Sequence, residues 1–249
     1  MTLAVGFEGL SVGWAGRTLM TNVSAAMAFK PLNYALPIIG RTGRGKSTLL
    51  YALSGMSLPM SGSVAWTLPD QVSWTAQSVS SGSFNDVRRR KFGFLLQDAT
   101  MIPCFTVAEN LRHILRLRRI TEQAEARISM SIERMLIEGE TVGHFYNKYP
   151  TQLSGGMRQR MALAAAIVHD PQVLFADEPT ASLDDATGLE VLKVVRRWLD
   201  DSVGKRAFVF VTHRVETLRQ GAGATQMLQL DSETVGGVAN VVPRLRKIE

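Results

Sequence analysis

Cysteine is all but missing: Cys104 stands alone among 249 residues. One thiol closes no internal disulfide and forms no cysteine zinc cluster. No apolar run approaches the roughly 18 residues needed to cross a bilayer. MALAAAIV, from Met161 to Val168, is among the longest. The N-terminus, MTLAVGFEG, carries no basic stretch and meets Glu8 early, so no secretory signal is expected. Internal repeats of roughly 20–50 residues and long heptad arrays are also missing. Together these absences predict an intracellular protein, metal-free apart from what a ligand brings.

What is present suits a packed globular chain. Hydrophobic residues make up 45% and charged residues 20%, which argues against disorder. The length fits one large domain or two small ones. The formal net charge is +6 and the isoelectric point is near 9.8. That balance suits nucleic acid, an anionic membrane surface or phosphate-bearing ligands. Arg88 to Lys91 is a run of four basic residues, and Arg112, Arg116, Arg118 and Arg119 crowd one segment. A solvated positive face and a specific binding patch both fit that pattern.

LAVGFEGLSV and YALPIIG read as strands, and Gln71 to Asn85 as a loop or weakly ordered edge. From Phe105 to Glu140 the pattern is helical, with Ile128, Ile132, Met135 and Leu136 on one face. In the last third QVLFADE and RAFVFVTH are short apolar runs ending in polar residues, with the helical TGLEVLKVVRRWL between them. Such runs suggest buried parallel strands, whose carboxyl ends carry active groups.

GRTGRGKST, Gly40 to Thr48, contains G-x-x-x-x-G-K-S between a strand-like and a helical segment. Gly40, Gly43 and Gly45 let the backbone curl so that its N–H groups face phosphate oxygens. The following helix adds its positive N-terminus. Lys46 would reach the β- and γ-phosphates and Ser47 would ligate Mg²⁺. Arg41 and Arg44, flanking Thr42 and Gly43, add positive charge to the loop. Asp177 and Glu178 close the QVLFADE run, and adjacent carboxylates there suit Mg²⁺ coordination by the first and water activation by the second. A solvated turn is the commoner meaning of such a pair; the phosphate loop reverses that preference.

LSGGMRQR, Leu153 to Arg160, opens a helix with two glycines. Ser154, Gly155 and Gly156 resemble the signature motif of the ABC (ATP-binding cassette) ATPases. In family order, Gln97 in FGFLLQD resembles the Q-loop, SLDD (Ser182 to Asp185) the D-loop, and His213 in VFVTH the switch histidine. Trp14 sits where the family carries an adenine-stacking aromatic. The resemblance covers essentially the whole chain and is weakest from Gln71 to Asn85 and after Gln226. FGFLLQDATMIPCFTVAENL and YPTQLSGGMRQRMALAAAIVHDPQVLFADEPTASLD look most like the lipoprotein-releasing, macrolide-exporting and cell-division subgroup, whose motifs shade into importers.

The resemblance implies an α/β fold with a phosphate-loop core, an antiparallel β portion near the N-terminus and an inserted helical subdomain. One ABC ATPase domain would fill residues 1–249, with 1–97 and 161–249 as core and 98–160 as the helical part. It implies a head-to-tail dimer, with a second copy or a homologous ATPase subunit, around two ATP molecules. Lys46, Ser47 and Thr48 would hold phosphate and Mg²⁺ in cis, and Ser154 and Gly156 the γ-phosphate in trans. Glu178 would polarise the attacking water, Asp177 and Gln97 attend the metal, His213 touch the γ-phosphate, and Asp184 communicate across the interface. The implied partners are transmembrane permease subunits, which would hold the protein peripherally at the cytoplasmic face of the inner membrane. They would dock around Gln97 to Val107 and the Arg112–Arg119 stretch, whose charge also suits anionic lipid. No nucleic acid is expected, although a soluble ABC ATPase acting on nucleic acid or ribosomes is the alternative that the basic charge keeps open. A cassette that binds ATP to regulate or assemble a partner is a third reading, opposed by the presence of Glu178 and His213. Departures from the family are tryptophan for the commoner tyrosine at Trp14, Lys30-Pro31-Leu32 for a Gly-Glu turn, and Arg214 for an acid beside the γ-phosphate. The final PRLRKIE reads as a basic tail or a last docked segment.

Overall fold

Strands of Val, Phe, Ala and Ile without polar interruption belong in the middle of a sheet covered on both faces. The computed structural model describes residues 3–14, 16–29, 34–68, 71–75, 83–96, 101–181, 183–202, 205–214, 221–235 and 238–248. In it every residue of β7 (Val173–Asp177) and β8 (Ala207–Val211) is buried. They run parallel with β3 (Ala35–Ile39) and β6 (Phe92–Leu95) in the order β3-β8-β7-β6. A C-terminal hairpin of β9 (Gln226–Val235) and β10 (Val238–Lys247) extends this sheet to six strands through β3. PRLRK is therefore the end of a docked strand, not a tail.

A second sheet is wholly antiparallel, in the order β2-β1-β4-β5: β1 (Ala4–Trp14), β2 (Arg17–Ala28), β4 (Ser61–Thr67) and β5 (Gln71–Thr75). Of the loop or weakly ordered edge expected from Gln71 onward, β5 is the edge, and a helix, α2 (Ser83–Lys91), begins before that stretch ends. One residue explains the strand: Trp74 is buried, and its indole N–H donates to Ala52 O at 3.2 Å. Trp66 on β4 donates to Leu53 O at 2.8 Å, so both indoles cap end carbonyls of α1 (Lys46–Leu53). The Trp66 ring also packs on Phe29, Phe92 and Phe175, joining the two sheets.

Between β6 and β7 lie α3 (Val107–Leu117), α4 (Ala124–Glu133), α5 (Val142–Tyr146), a 3-10 turn (Pro150–Gln152) and α6 (Gly155–Ile167). Ile128, Ile132 and Met135 are buried and Leu136 packs partly against the core, although α4 itself stops at Glu133. Ser131 Oγ donates to Ala164 O at 2.7 Å, joining α4 to α6. At Gly93 a Cβ would fall 2.3 Å from Ala166 O, so α6 lies hard against β6 and only glycine fits. A further helix, α7 (Asp185–Asp200), leads to β8. Among the described residues no helix is long and apolar enough to cross a membrane.

Candidate active site

The three central strands end level: Ile38 pairs with Val211, and Val211 with Asp177. The segments leaving their carboxyl ends therefore converge on one place. After β3 comes the glycine loop, with φ of 153° at Gly40, 79° at Gly43 and 78° at Gly45, the region only glycine enters freely. Lys46 Nζ donates to Gly40 O at 3.0 Å and to Arg41 O at 3.4 Å, so the loop curls around the ammonium of a residue only 9% exposed. Arg41, Thr42 and Gly43 are exposed, whereas Arg44, Gly45, Ser47 and Thr48 are half-buried. No side chain caps the N-terminus of α1 and no acid lies in its first turn, which leaves its amides directed at an anion.

After β7 comes the carboxylate pair. Asp177 is 3% exposed, and its two oxygens are both engaged: Ser47 Oγ donates to Oδ1 at 3.0 Å and Tyr51 Oη to Oδ2 at 2.8 Å. Burial, and then the bond to Asp177 and its charge, push the Tyr51 hydroxyl up to about 12, which keeps it a donor. Sequence reasoning missed Tyr51; the available signal is its i+4 spacing from Ser47, on the same helix face. Glu178 ends the strand with φ 52°, a left-handed backbone costing about 1–3 kcal/mol for such a residue. Its carboxylate pairs with His213 at the end of β8, Oε2 to Nδ1 at 2.7 Å. Gln159, also missed, is buried on α6 and donates to Pro179 O at 2.7 Å, holding the turn beyond Glu178. Gln97, Ser182 and the Lys30-Pro31-Leu32 segment lie outside the described residues.

Trp14 ends β1 and is 66% exposed at the hairpin into β2. The returning strand brings Leu19 and Met20 against Gly45, so this hairpin abuts the phosphate loop. Ser154 caps α6, accepting from Met157 N–H at 3.3 Å. A Cβ on Gly156 would lie 2.7 Å from Thr187 Cγ2, whereas Gly155 faces open space. Asp184 caps α7, accepting from Thr187 N–H at 3.0 Å and Thr187 Oγ1 at 2.7 Å, bonds that hold its carboxyl below its ordinary range. These helix starts share a cleft of about 680 Å³ lined by Ser154, Gly155, Gly156, Leu183, Asp184 and Arg160 among others. No residue of Gly40–Thr48 lines it. Within one chain the glycine loop thus lies outside the Ser154–Gly156 cleft. In the wall of the cleft, buried Arg160 grips Glu140 through two bonds of 2.6 and 2.7 Å and donates to Met135 O at 2.5 Å.

The basic segments divide. Arg112 is braced by Glu125 at 2.7 and 2.9 Å, and Arg89 by Asp86 at 2.7 Å. Arg116 and Arg119 are exposed, while burial and the nearby Arg89 charge push half-buried Arg118 down to about 10. The Arg214 guanidinium bonds Leu183 O and Asp185.

Comparison with known proteins accords with this geometry. The family model described as ABC transporter matches residues 32–181. The lipoprotein-releasing system ATP-binding protein LolD of Shewanella oneidensis is 36% identical over 181 residues, 72% of this chain and 73% of that protein. The sulfate/thiosulfate import ATP-binding protein CysA of Xanthomonas campestris pv. campestris is 37% identical over 184 residues, 73% of this chain and 49% of its own length. A solved dimeric ATP-binding cassette in a post-hydrolysis state with ADP and Pi superposes with a TM-score of 0.75 at 26% identity, covering 98% of this chain and 99% of that one.

Proposed function

Because this chain belongs to the ABC transporter ATPase family, we propose that it hydrolyses ATP as the motor of a lipoprotein-release or export type complex whose path lies in separate transmembrane subunits. The observation that carries this reading is the level ending of β3, β7 and β8. It gathers the glycine loop, Asp177 and the Glu178–His213 pair at one point. Lys46 and the loop amides bind the β- and γ-phosphates, and Trp14 stacks on the adenine. Two hard oxygen donors, Ser47 Oγ and the Asp177 carboxylate, suit Mg²⁺, which typically takes few protein ligands beside substrate phosphates, and Gln97 completes the set. Once bound, the ion neutralises phosphate charge.

Glu178 orients the attacking water and takes its proton as the oxygen adds to the γ-phosphorus and the bond to the β-phosphate oxygen breaks. His213, held by Glu178, contacts the γ-phosphate. Ser154, Gly155 and Gly156 of a second copy, or of a homologous subunit, close over the same phosphate, with Asp184 at the interface. The separation of the two half-sites within one chain supports this arrangement. ATP closes such a dimer and ADP does not, because only the γ-phosphate is gripped from both sides.

Residues 1–97 and 161–249 act as the core and 98–160 as the helical subdomain of one domain. The segment after Gln97 meets the permease. There buried Asn110 accepts from Ile102 N–H at 2.7 Å and donates to the Ile102, Phe105 and Thr106 carbonyls, making 102–106 a preformed surface. Docking there holds the subunit at the cytoplasmic face of the inner membrane. The likeness to LolD favours this reading over action on nucleic acid or ribosomes. The test is Glu178→Gln, which loses at least about a hundredfold in turnover while still binding ATP. With ATP, that variant should retain a stoichiometric membrane protein from detergent-solubilised membranes. Recovery of ribosomes or nucleic acid alone would sink the proposal.

A further inference from the structure

Arg214 follows His213 at the exit of β8, and its guanidinium reaches the turn before α7. Its own N–H donates to Thr212 Oγ1 at 3.1 Å, and Thr212 N–H donates in turn to Ile38 O at 3.2 Å, on the strand that feeds the glycine loop. Its guanidinium crosses to the turn before α7, where NH1 donates to Asp185 Oδ1 at 3.0 Å and NH2 to Leu183 O at 2.9 Å. The turn is itself tied down: Leu183 N–H donates to Thr180 O at 3.2 Å, and Asp184 caps α7. Gly188 packs beside this crossing: a Cβ there would sit tightly, 3.3 Å from Thr180 Cβ, and in ordinary contact, 3.6 Å, with NH1.

The Asp185 side chain is 90% exposed, so this ion pair adds little to fold stability. What it does determine is position. Two donors in a fixed fork engage a backbone carbonyl and a carboxylate at once, which a lysine does not reproduce. We infer that Arg214 is a positioning residue that ties the segment carrying His213 to the Leu183–Asp185 turn, so that γ-phosphate contact and the seating of that turn against a second cassette are coupled. The inference rests on the dimeric ATPase reading above. Coupling needs an element that both sites bias, and the Thr212–Arg214–Leu183 path is a physical connection between them.

The experiment follows ATP-driven dimerisation of the Glu178→Gln protein by light scattering, alongside fluorescent ATP-analogue binding to the isolated subunit. Arg214→Ala should raise the protein concentration for half-dimerisation about tenfold while changing analogue affinity less than about twofold. Arg214→Lys, which keeps the charge and one donor, should recover part of that loss. Unchanged dimerisation of Arg214→Ala beside a dimerising parent overturns the inference alone. A parallel fall in analogue binding also overturns it, since Arg214 would then act on the nucleotide pocket. A parent that stays monomeric with ATP overturns the dimeric reading itself.

Discussion

At Asp177 one buried carboxylate satisfies two hydroxyls, Ser47 on Oδ1 and Tyr51 on Oδ2. With both oxygens engaged, the carboxylate has one orientation, and the oxygen proposed for the metal is pre-aimed. Removing a donor from a buried acceptor costs about 1–3 kcal/mol, because water does not replace it. Tyr51→Phe is therefore expected to lose stability of that order in urea unfolding and to need more Mg²⁺ for half-maximal turnover. Unchanged values for both would show that Tyr51 merely fills space. The neighbouring carboxylate, Glu178, is aimed elsewhere. Its positive φ ends the strand directly after Asp177, so the two residues serve different partners, Asp177 the glycine loop and Glu178 the histidine.

Among the elements, α6 joins the most distant parts. Its N-terminus lines the signature cleft, Gln159 holds the turn after Glu178, and Arg160 holds Glu140. Just beyond its C-terminus, buried His169 lies with Nε2 3.1 Å from Phe92 O, at the start of β6. Burial first, and then the Arg118 charge, push His169 down to about 3 from an ordinary 6.5. The folded state thus refuses a proton that the unfolded chain accepts. The stability gained from a neutral histidine is fully present above pH 6.5 and is lost progressively as pH falls toward 3. At about pH 5.5 the loss is roughly 1 kcal/mol. The unfolding free energy of the wild type from urea titrations should fall between pH 7 and 5.5 by that amount, and that of His169→Gln should stay nearly level. Equal slopes for both proteins would reject His169 as the titrating group.

For the whole molecule, the separation of the half-sites has a consequence that mixing reveals. Lys46→Ala removes the phosphate contact of one half-site, and Ser154→Arg blocks the signature of the other. Each protein alone should be inactive. In a head-to-tail pair, a mixed dimer combines both lesions in one site and leaves the other intact. An equimolar mixture should then regain about a quarter of wild-type turnover, half the dimers being mixed and each holding one working site. A mixture no better than its parents would place both lesions in one chain's own site.

The phosphate loop, the carboxylate pair and the buried parallel strands were legible in the sequence because each is local. Glycine at 40, 43 and 45 permits a backbone curl that near neighbours alone determine, and an unbroken apolar run such as LFA or FVFV is buried on both faces wherever it lands. The Gln71–Thr75 strand was legible only as a choice between loop and sheet edge, since a buried Trp74, bonded to a helix in the preceding segment, holds an otherwise polar stretch in the sheet. Tyr51, Gln159 and Arg214 were not legible: their partners lie 126, 20 and 31 residues away. The sequence by itself determined which chemistry this chain carries, because phosphate-binding loops and strand-end carboxylates are encoded by residues that touch one another along the backbone. Only the tertiary structure decided which side chains hold that chemistry in place, because strand register, and not sequence distance, brings Asp177 to Ser47 and Arg214 to Leu183.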